Sequence, residues 1–121
     1  MEEEIPDSSR LPGVDIEKFL GFDERIIFRT EGEVWFGDHK AHAYVTNNRI
    51  LFYHREPKLM DSFQEDELDE IFPTSVKRIS LVESGLIVKK MTLRMDEHEI
   101  AGDRNDLIGL YKAIQYVRAQ A

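Results

Sequence analysis

Two apolar runs, Ala41 to Thr46 and Arg49 to His54, stand on either side of Asn47-Asn48, and no other feature of the chain constrains its fold as much. Both runs are rich in β-branched and aromatic residues, and asparagine tolerates positive φ, so the segment predicts a tight antiparallel hairpin with a two-residue primed turn. Strand character extends to both sides. Upstream, Ile26, Ile27, Phe28, Val34, Trp35 and Phe36 read as strands interrupted by Gly32, a bend or bulge, and by Gly37. Downstream, Ile71-Phe72 resumes the pattern, Pro73 limits pairing, and Val76 to Val82 reads as a further strand. Glu83-Ser84-Gly85 fits a three-residue hairpin loop. Leu86 to Met95 is then the return strand, with Met91, Leu93 and Met95 on one face and Lys90, Thr92 and Arg94 on the other. Asp96-Glu97 turns the chain toward a last short strand around Ile100.

From Asp103 the period changes. Leu107, Leu110, Tyr111, Ile114 and Val117 follow the spacing of one helical face, Asp103 and Asp106 favour its start, and Lys112 and Arg118 favour its end. A lone amphipathic helix must lay its stripe on something, and the strands are the available surface, so the helix is expected to close one side or one mouth of them. A shorter helix is expected from Asp15 to Leu20, stopped by Gly21. Ser62-Phe63-Gln64-Glu65 has the form of a capping box and predicts a brief helix or an ordered loop. Residues 1–13 mix Glu, Pro, Asp, Ser and Gly without an apolar period and read as a flexible acidic tail, leaving 14–121 as one domain.

A chain of 121 residues with 41% hydrophobic and 33% charged residues is suited to a single hydrophobic core. It contains no cysteine, which removes disulfide and thiolate chemistry. No apolar run is long enough to span a bilayer, and the acidic Met1-Glu2-Glu3-Glu4 start is unlike a signal peptide, so a cytoplasmic location is expected. The formal net charge of −8 opposes binding to phosphate backbones, and nucleic acid is not an expected partner. The charge is unevenly placed: Asp61 to Glu70 holds six acids and no base, whereas Lys77 to Arg94 holds five bases and one acid.

The order of elements, from about Val14 to the end, resembles the PH-like domains, in particular the bacterial and archaeal PH and GRAM-type versions. Val45-Thr46-Asn47-Asn48-Arg49-Ile50-Leu51 looks like that family's hairpin, a strand ending in Val-Thr, two turn residues and a strand opening with Arg. Phe72 to Leu81 looks like its entry into the second sheet, and Leu20-Gly21-Phe22-Asp23-Glu24-Arg25-Ile26 is similar to its lead-in. The resemblance implies a mainly β fold, a two-sheet partly open barrel of about seven antiparallel strands, four then three, capped by one C-terminal α-helix. It implies a module that binds lipids, peptides or proteins. Phosphoinositide-binding members carry several bases around the first strand connection. Here Glu31, Glu33 and Asp38 surround Lys40 instead, which disfavours inositol phosphate at that site.

No catalytic constellation is read from the chain, and no cofactor is expected. His39 and His42, three apart on a strand, point to opposite faces, and His54 and His98 lack any ligand spacing along the sequence, so no metal site is expected and the histidines read as surface or hairpin residues. The acids from Glu65 to Glu70 lack the ligand spacing and turn glycine of a calcium loop. Two binding surfaces are candidates. Arg78, Lys90 and Arg94 share the outer face of one hairpin, where an anion or the chain's own acidic segments would offset their repulsion. The register there is open, because placing Ile79 and Met91 inward forces Lys89 inward unless a bulge intervenes. Trp35 and Phe36 beside Gly37 are either core or a partner contact. The resulting expectation is a non-catalytic binding or assembly module that acts through a protein partner or its own copies. The alternative is a membrane-surface module that binds anionic lipid through the basic hairpin.

Overall fold

The computed structural model describes residues 10–11, 14–57 and 64–120, with side chains described at 16–54 and 67–120. The described residues open with two short strands, β1 (Arg10–Leu11) and β2 (Val14–Asp15), paired antiparallel. The rest of the expected tail lies outside the described residues. Where sequence predicts a helix over Asp15 to Leu20, the chain makes a single 3-10 turn, Ile16–Phe19, closed by the Leu20 amide donating to the Glu17 carbonyl at 3.1 Å. So short a segment cannot offset the cost of nucleating an α-helix, and the tighter turn anchors Ile16, 2% exposed, on the sheet below it.

Eight further strands build an antiparallel sheet that curls without closing. In chain order these are β3 (Ile26–Arg29), β4 (Val34–Phe36), β5 (His39–Thr46), β6 (Ile50–Pro57), β7 (Gln64–Ile71), β8 (Ile79–Ser84), β9 (Lys90–Met95) and β10 (His98–Ala101). Their spatial order is β7-β6-β5-β4-β10-β9-β8, with β3 also pairing β5. Sequence predicts about seven strands. The count rises because the first is broken: β3 pairs the C-terminal half of β5, β4 its N-terminal half, and Thr30 to Glu33 bridge them. This break is tightly bonded. Thr30 is buried and exchanges hydrogen bonds with Ala43, its amide donating to the carbonyl at 3.0 Å and its hydroxyl accepting from the amide at 3.2 Å. The Glu31 and Gly32 amides donate to the Asp106 carboxylate at 2.9 and 3.2 Å.

Asp106 belongs to α1 (Arg104–Gln120), the one α-helix among the described residues, which packs against β3, β5, β8 and β9 and so covers the opening of the barrel. Leu107, Leu110, Ile114 and Val117 are buried there, as their spacing predicts, with Tyr111 half-buried beside them. Asp103 caps the helix, its carboxylate accepting from the Asn105 amide at 3.0 Å. The helix approaches closely because Gly109 has no side chain: a Cβ there would lie 2.3 Å from the Phe28 ring.

Apolar packing occurs on both faces of the central hairpin. Ala41, Ala43 and Val45 of β5 and Ile50 and Phe52 of β6 join Leu93, Met95, Ile100 and the helix in the interior. Tyr44, Leu51 and Tyr53 form a second cluster on the outer face, beneath Ile16. Burial on both faces explains why these strands read as unbroken apolar runs and not as alternating ones.

Three local expectations are corrected. The hairpin turn is not primed: among the described residues positive φ occurs at Asp23, Asp96, Gly37 and Gly85, so neither Asn47 nor Asn48 has it. The Thr46 hydroxyl shapes the turn instead, accepting from the Asn48 and Arg49 amides at 3.0 and 2.9 Å. The acidic segment expected as a helix or loop is strand from Gln64 onward, paired along all of β6; Ser62 and Phe63 lie outside the described residues. It tolerates its charge because β7 is an edge with one neighbouring strand among the described residues, and Glu67, Asp69 and Glu70 stand beside His54, His39 and Arg49. The β8–β9 connection runs from Gly85 to Lys89, longer than the three residues expected, so the return strand begins at Lys90 and not at Leu86. This settles the register: Ile79 pairs with Met95, Leu81 with Leu93 and Glu83 with Met91, and no bulge is needed because Lys89 is in the loop.

Candidate functional site

The two hairpins of the barrel are built in opposite ways. At the β5–β6 turn almost every polar group is engaged. Arg49 donates to Glu24 through Nε at 2.8 Å and Nη2 at 3.0 Å, to Glu70 through Nη1 at 2.6 Å, and to the Phe19 carbonyl at 2.8 Å. Glu24 also accepts from the Thr46 hydroxyl and the Gly21 amide, each at 2.7 Å, and its side chain is 2% exposed. The Arg49 guanidinium, aided by these two bonds, outweighs burial and holds the Glu24 carboxyl at about 2, well below 4.5. Arg49 is raised in turn, chiefly by Glu24. Asn47 completes the corner: its side-chain oxygen accepts from the Arg25 amide at 2.8 Å and its Nδ2 donates to the Asp23 carbonyl at 3.1 Å. The segments Leu20 to Arg25 and Val45 to Leu51, distant in sequence, thus form one clamp. Its groups are committed to the fold.

The β8–β9 loop does the reverse. Leu86, Ile87 and Val88 are 99, 94 and 71% exposed. Gly85 makes the loop's tight start, since its φ is +112° and a Cβ on it would lie 2.1 Å from the Val88 carbonyl oxygen. Three adjacent apolar side chains in water, followed by Lys89 and Lys90, form the most conspicuous exposed apolar feature of the described surface. A hollow beside it is lined by Glu83, Lys89, Lys90, Met91, Thr92 and Arg104, and Arg104 pairs with Glu83 across it.

The basic residues singled out from sequence occupy the expected outer face but do not converge. Arg94 lies opposite Ser80 and pairs with Glu99 at 3.4 Å, Lys90 lies opposite Ser84 at the loop end, and Arg78 sits at the far end, where its amide donates to Asp96 at 2.9 Å. The chain's own acids therefore offset part of that charge, and only Lys90 lines the hollow. Trp35 and Phe36 separate to opposite faces. Trp35 is 46% exposed, with the Lys40 ammonium 5.4 Å over its ring, whereas Phe36 turns inward and stacks on Phe52 at 4.1 Å.

Phe36 also marks a polar cluster that spacing along the chain could not reveal. His39 packs edge-on to it at 5.9 Å, and His98 stacks on it at 5.5 Å. The His39 and His54 rings lie 4.3 Å apart. His39 Nε2 is 3.4 Å from the Asp69 carboxylate, and ligand atoms of His39, His54 and Asp69 all lie within 4.8 Å of one another. Strand register assembles them: His42 pairs with Tyr53, and β6 then pairs Phe52 with Asp69 and His54 with Glu67. His42, on the other face of β5, stays out of the group, and burial lowers its pKa.

No helix of the described residues is long and apolar enough to cross a membrane. No family model matches the chain, and no curated protein matches it in sequence.

Proposed function

We propose that this chain is a non-catalytic binding or assembly module of PH-like fold, docking on a protein partner or on its own copies through the β8–β9 end of the barrel, and that it works in the cytoplasm. One observation carries the reading: Leu86, Ile87 and Val88 stand in water at the tip of a hairpin. Exposed apolar surface of this kind is costly unless a surface receives it, and burying such a side chain contributes about 1.5–3 kcal/mol. The neighbouring β8 strand adds a second means of recognition, because no strand among the described residues pairs with its outer edge and an extended segment can add there. β7, which also pairs with a single strand, holds five acids among its eight residues and is poorly suited to the same use.

Lys89 and Lys90 favour a second reading, a membrane-surface module. Apolar residues at a loop tip with lysines beside them suit the boundary between acyl chains and anionic headgroups. Size exclusion with light scattering over a wide concentration range, run beside sedimentation with neutral and anionic vesicles, separates the two. An oligomer that grows with concentration and is lost in the Leu86→Ser/Ile87→Ser double variant supports self-association. A monomer that sediments only with anionic vesicles moves the assignment to the membrane. A monomer that ignores vesicles and is unchanged by the double variant overturns self-association and lipid binding together.

A further inference from the structure

We infer that His39, His54 and Asp69 form a binding site for a divalent transition-metal ion of the zinc type. The inference rests on the wall of the barrel and is independent of the β8–β9 loop. Two imidazoles and one carboxylate suit a borderline ion such as Zn²⁺, whereas calcium and magnesium take oxygen ligands. Three protein ligands leave a fourth position for water or for an incoming donor.

A tetrahedral zinc ion with bonds of about 2.0–2.2 Å sets its ligand atoms about 3.4 Å apart. His39 Nε2 and the Asp69 carboxylate already stand 3.4 Å apart, and the whole set lies within 4.8 Å, close to the spacing a bound ion requires. The three residues sit on adjacent strands β5, β6 and β7, whose paired backbones fix their spacing.

His39 Nε2 is buried and has no hydrogen-bond partner among the described residues; its approach to Asp69 is a charge contact without hydrogen-bond geometry. Meanwhile His39 Nδ1 lies 3.3 Å from the Asp38 carboxylate. A carboxylate on one ring nitrogen fixes the tautomer that directs the lone pair of the other at a metal, the usual support of a ligating histidine. Glu67, 3.2 Å from His54 Nε2, places a second carboxylate against the other ring. Three carboxylates around two close imidazoles provide the negative charge that a dication neutralises.

The test uses the full chain, freed of metal by chelator and titrated with Zn²⁺ in competition with a chromophoric chelator, then with Co²⁺ followed by visible absorption. The expected result is one saturable ion per chain, with Co²⁺ bands of a four- or five-coordinate nitrogen and oxygen site. Removing the supporting carboxylate, Asp38→Asn, is expected to weaken binding about 10–100-fold. Asp69→Asn and His39→Gln should each weaken it more than that and abolish the Co²⁺ bands. His98→Gln, in the same aromatic stack but outside the ligand set, should leave affinity unchanged. Circular dichroism confirms folding of each variant. Should His54→Gln fail to fold, Asp69→Asn carries the test, because its side chain is about half exposed. Absence of saturable binding, or an affinity that Asp69→Asn and His39→Gln leave intact, overturns the inference. So does equal weakening by His98→Gln, which would mean diffuse capture by surface histidines.

Discussion

The β5–β6 and β8–β9 hairpins occupy one barrel and use their side chains for different ends. At the first, Glu24, Thr46, Asn47 and Arg49 bond one another and the local backbone, leaving little polar capacity for a partner. At the second, Leu86, Ile87 and Val88 bond nothing and face water. The contrast separates polar residues bound into the fold from apolar residues left in water, the group to which the proposed docking role is assigned. The Arg49–Glu24 ion pair is a clamp, and the exposed apolar side chains lie at the other hairpin.

The contrast is broken most forcefully at Arg49. Arg49→Ala strands the buried Glu24 carboxylate and should destabilise the fold by about 3–5 kcal/mol, read from the denaturant midpoint. A cost below about 1 kcal/mol would reduce the clamp to an ordinary surface ion pair.

The same clamp has a pH signature. The folded Glu24 pKa is depressed, from 4.5 to about 2, so its contribution is fully present above 4.5 and is lost as pH falls toward 2. Wild-type stability should therefore decline across that window, and the decline should be shallower in Glu24→Gln. Parallel pH curves for the two proteins would remove Glu24 as the cause.

Gly85→Ala acts on the other hairpin by straining its start without altering the apolar tip. The positive φ and the close Val88 carbonyl should make it cost about 1–3 kcal/mol in thermal or chemical unfolding. A neutral substitution would show that the loop rearranges freely.

Smallest of all should be Leu86→Ser/Ile87→Ser. These side chains are almost fully exposed, so the change should shift stability by no more than about 0.5 kcal/mol while removing assembly. A large loss of stability would place the tip in the core of the isolated chain and end its assignment as a docking surface.

What was legible in the sequence follows the range of the forces involved. The Asn47-Asn48 hairpin, the final helix with Leu107, Leu110, Ile114 and Val117 inward, and the faces of Met91, Leu93 and Met95 were readable because local period and burial agree there. The primed turn was misread because the Thr46 hydroxyl, together with the bonds of Asn47 to Asp23 and Arg25, selects another backbone. β7 was misread because five acids in eight residues suggest a solvated loop, whereas pairing with β6 and the burial contributed by Leu68 and Ile71 make it a strand. Of the candidate site residues, Trp35 is half-exposed and Lys90 is beside the apolar tip, while Phe36 belongs to the interior stack. The grouping of His39, His54 and Asp69 depends on the register of three strands, information that no spacing along a single chain carries.

Hydrogen exchange resolved to the two turns, measured in dilute and in concentrated protein, tests the division of labour most directly. The account predicts slow exchange at the Asn48 and Arg49 amides, which the Thr46 hydroxyl holds, at every concentration. It predicts fast exchange from Leu86 to Lys89 in dilute protein, slowing as concentration rises. Equal protection of both turns in dilute protein, or a tip whose exchange never responds to concentration, would contradict it.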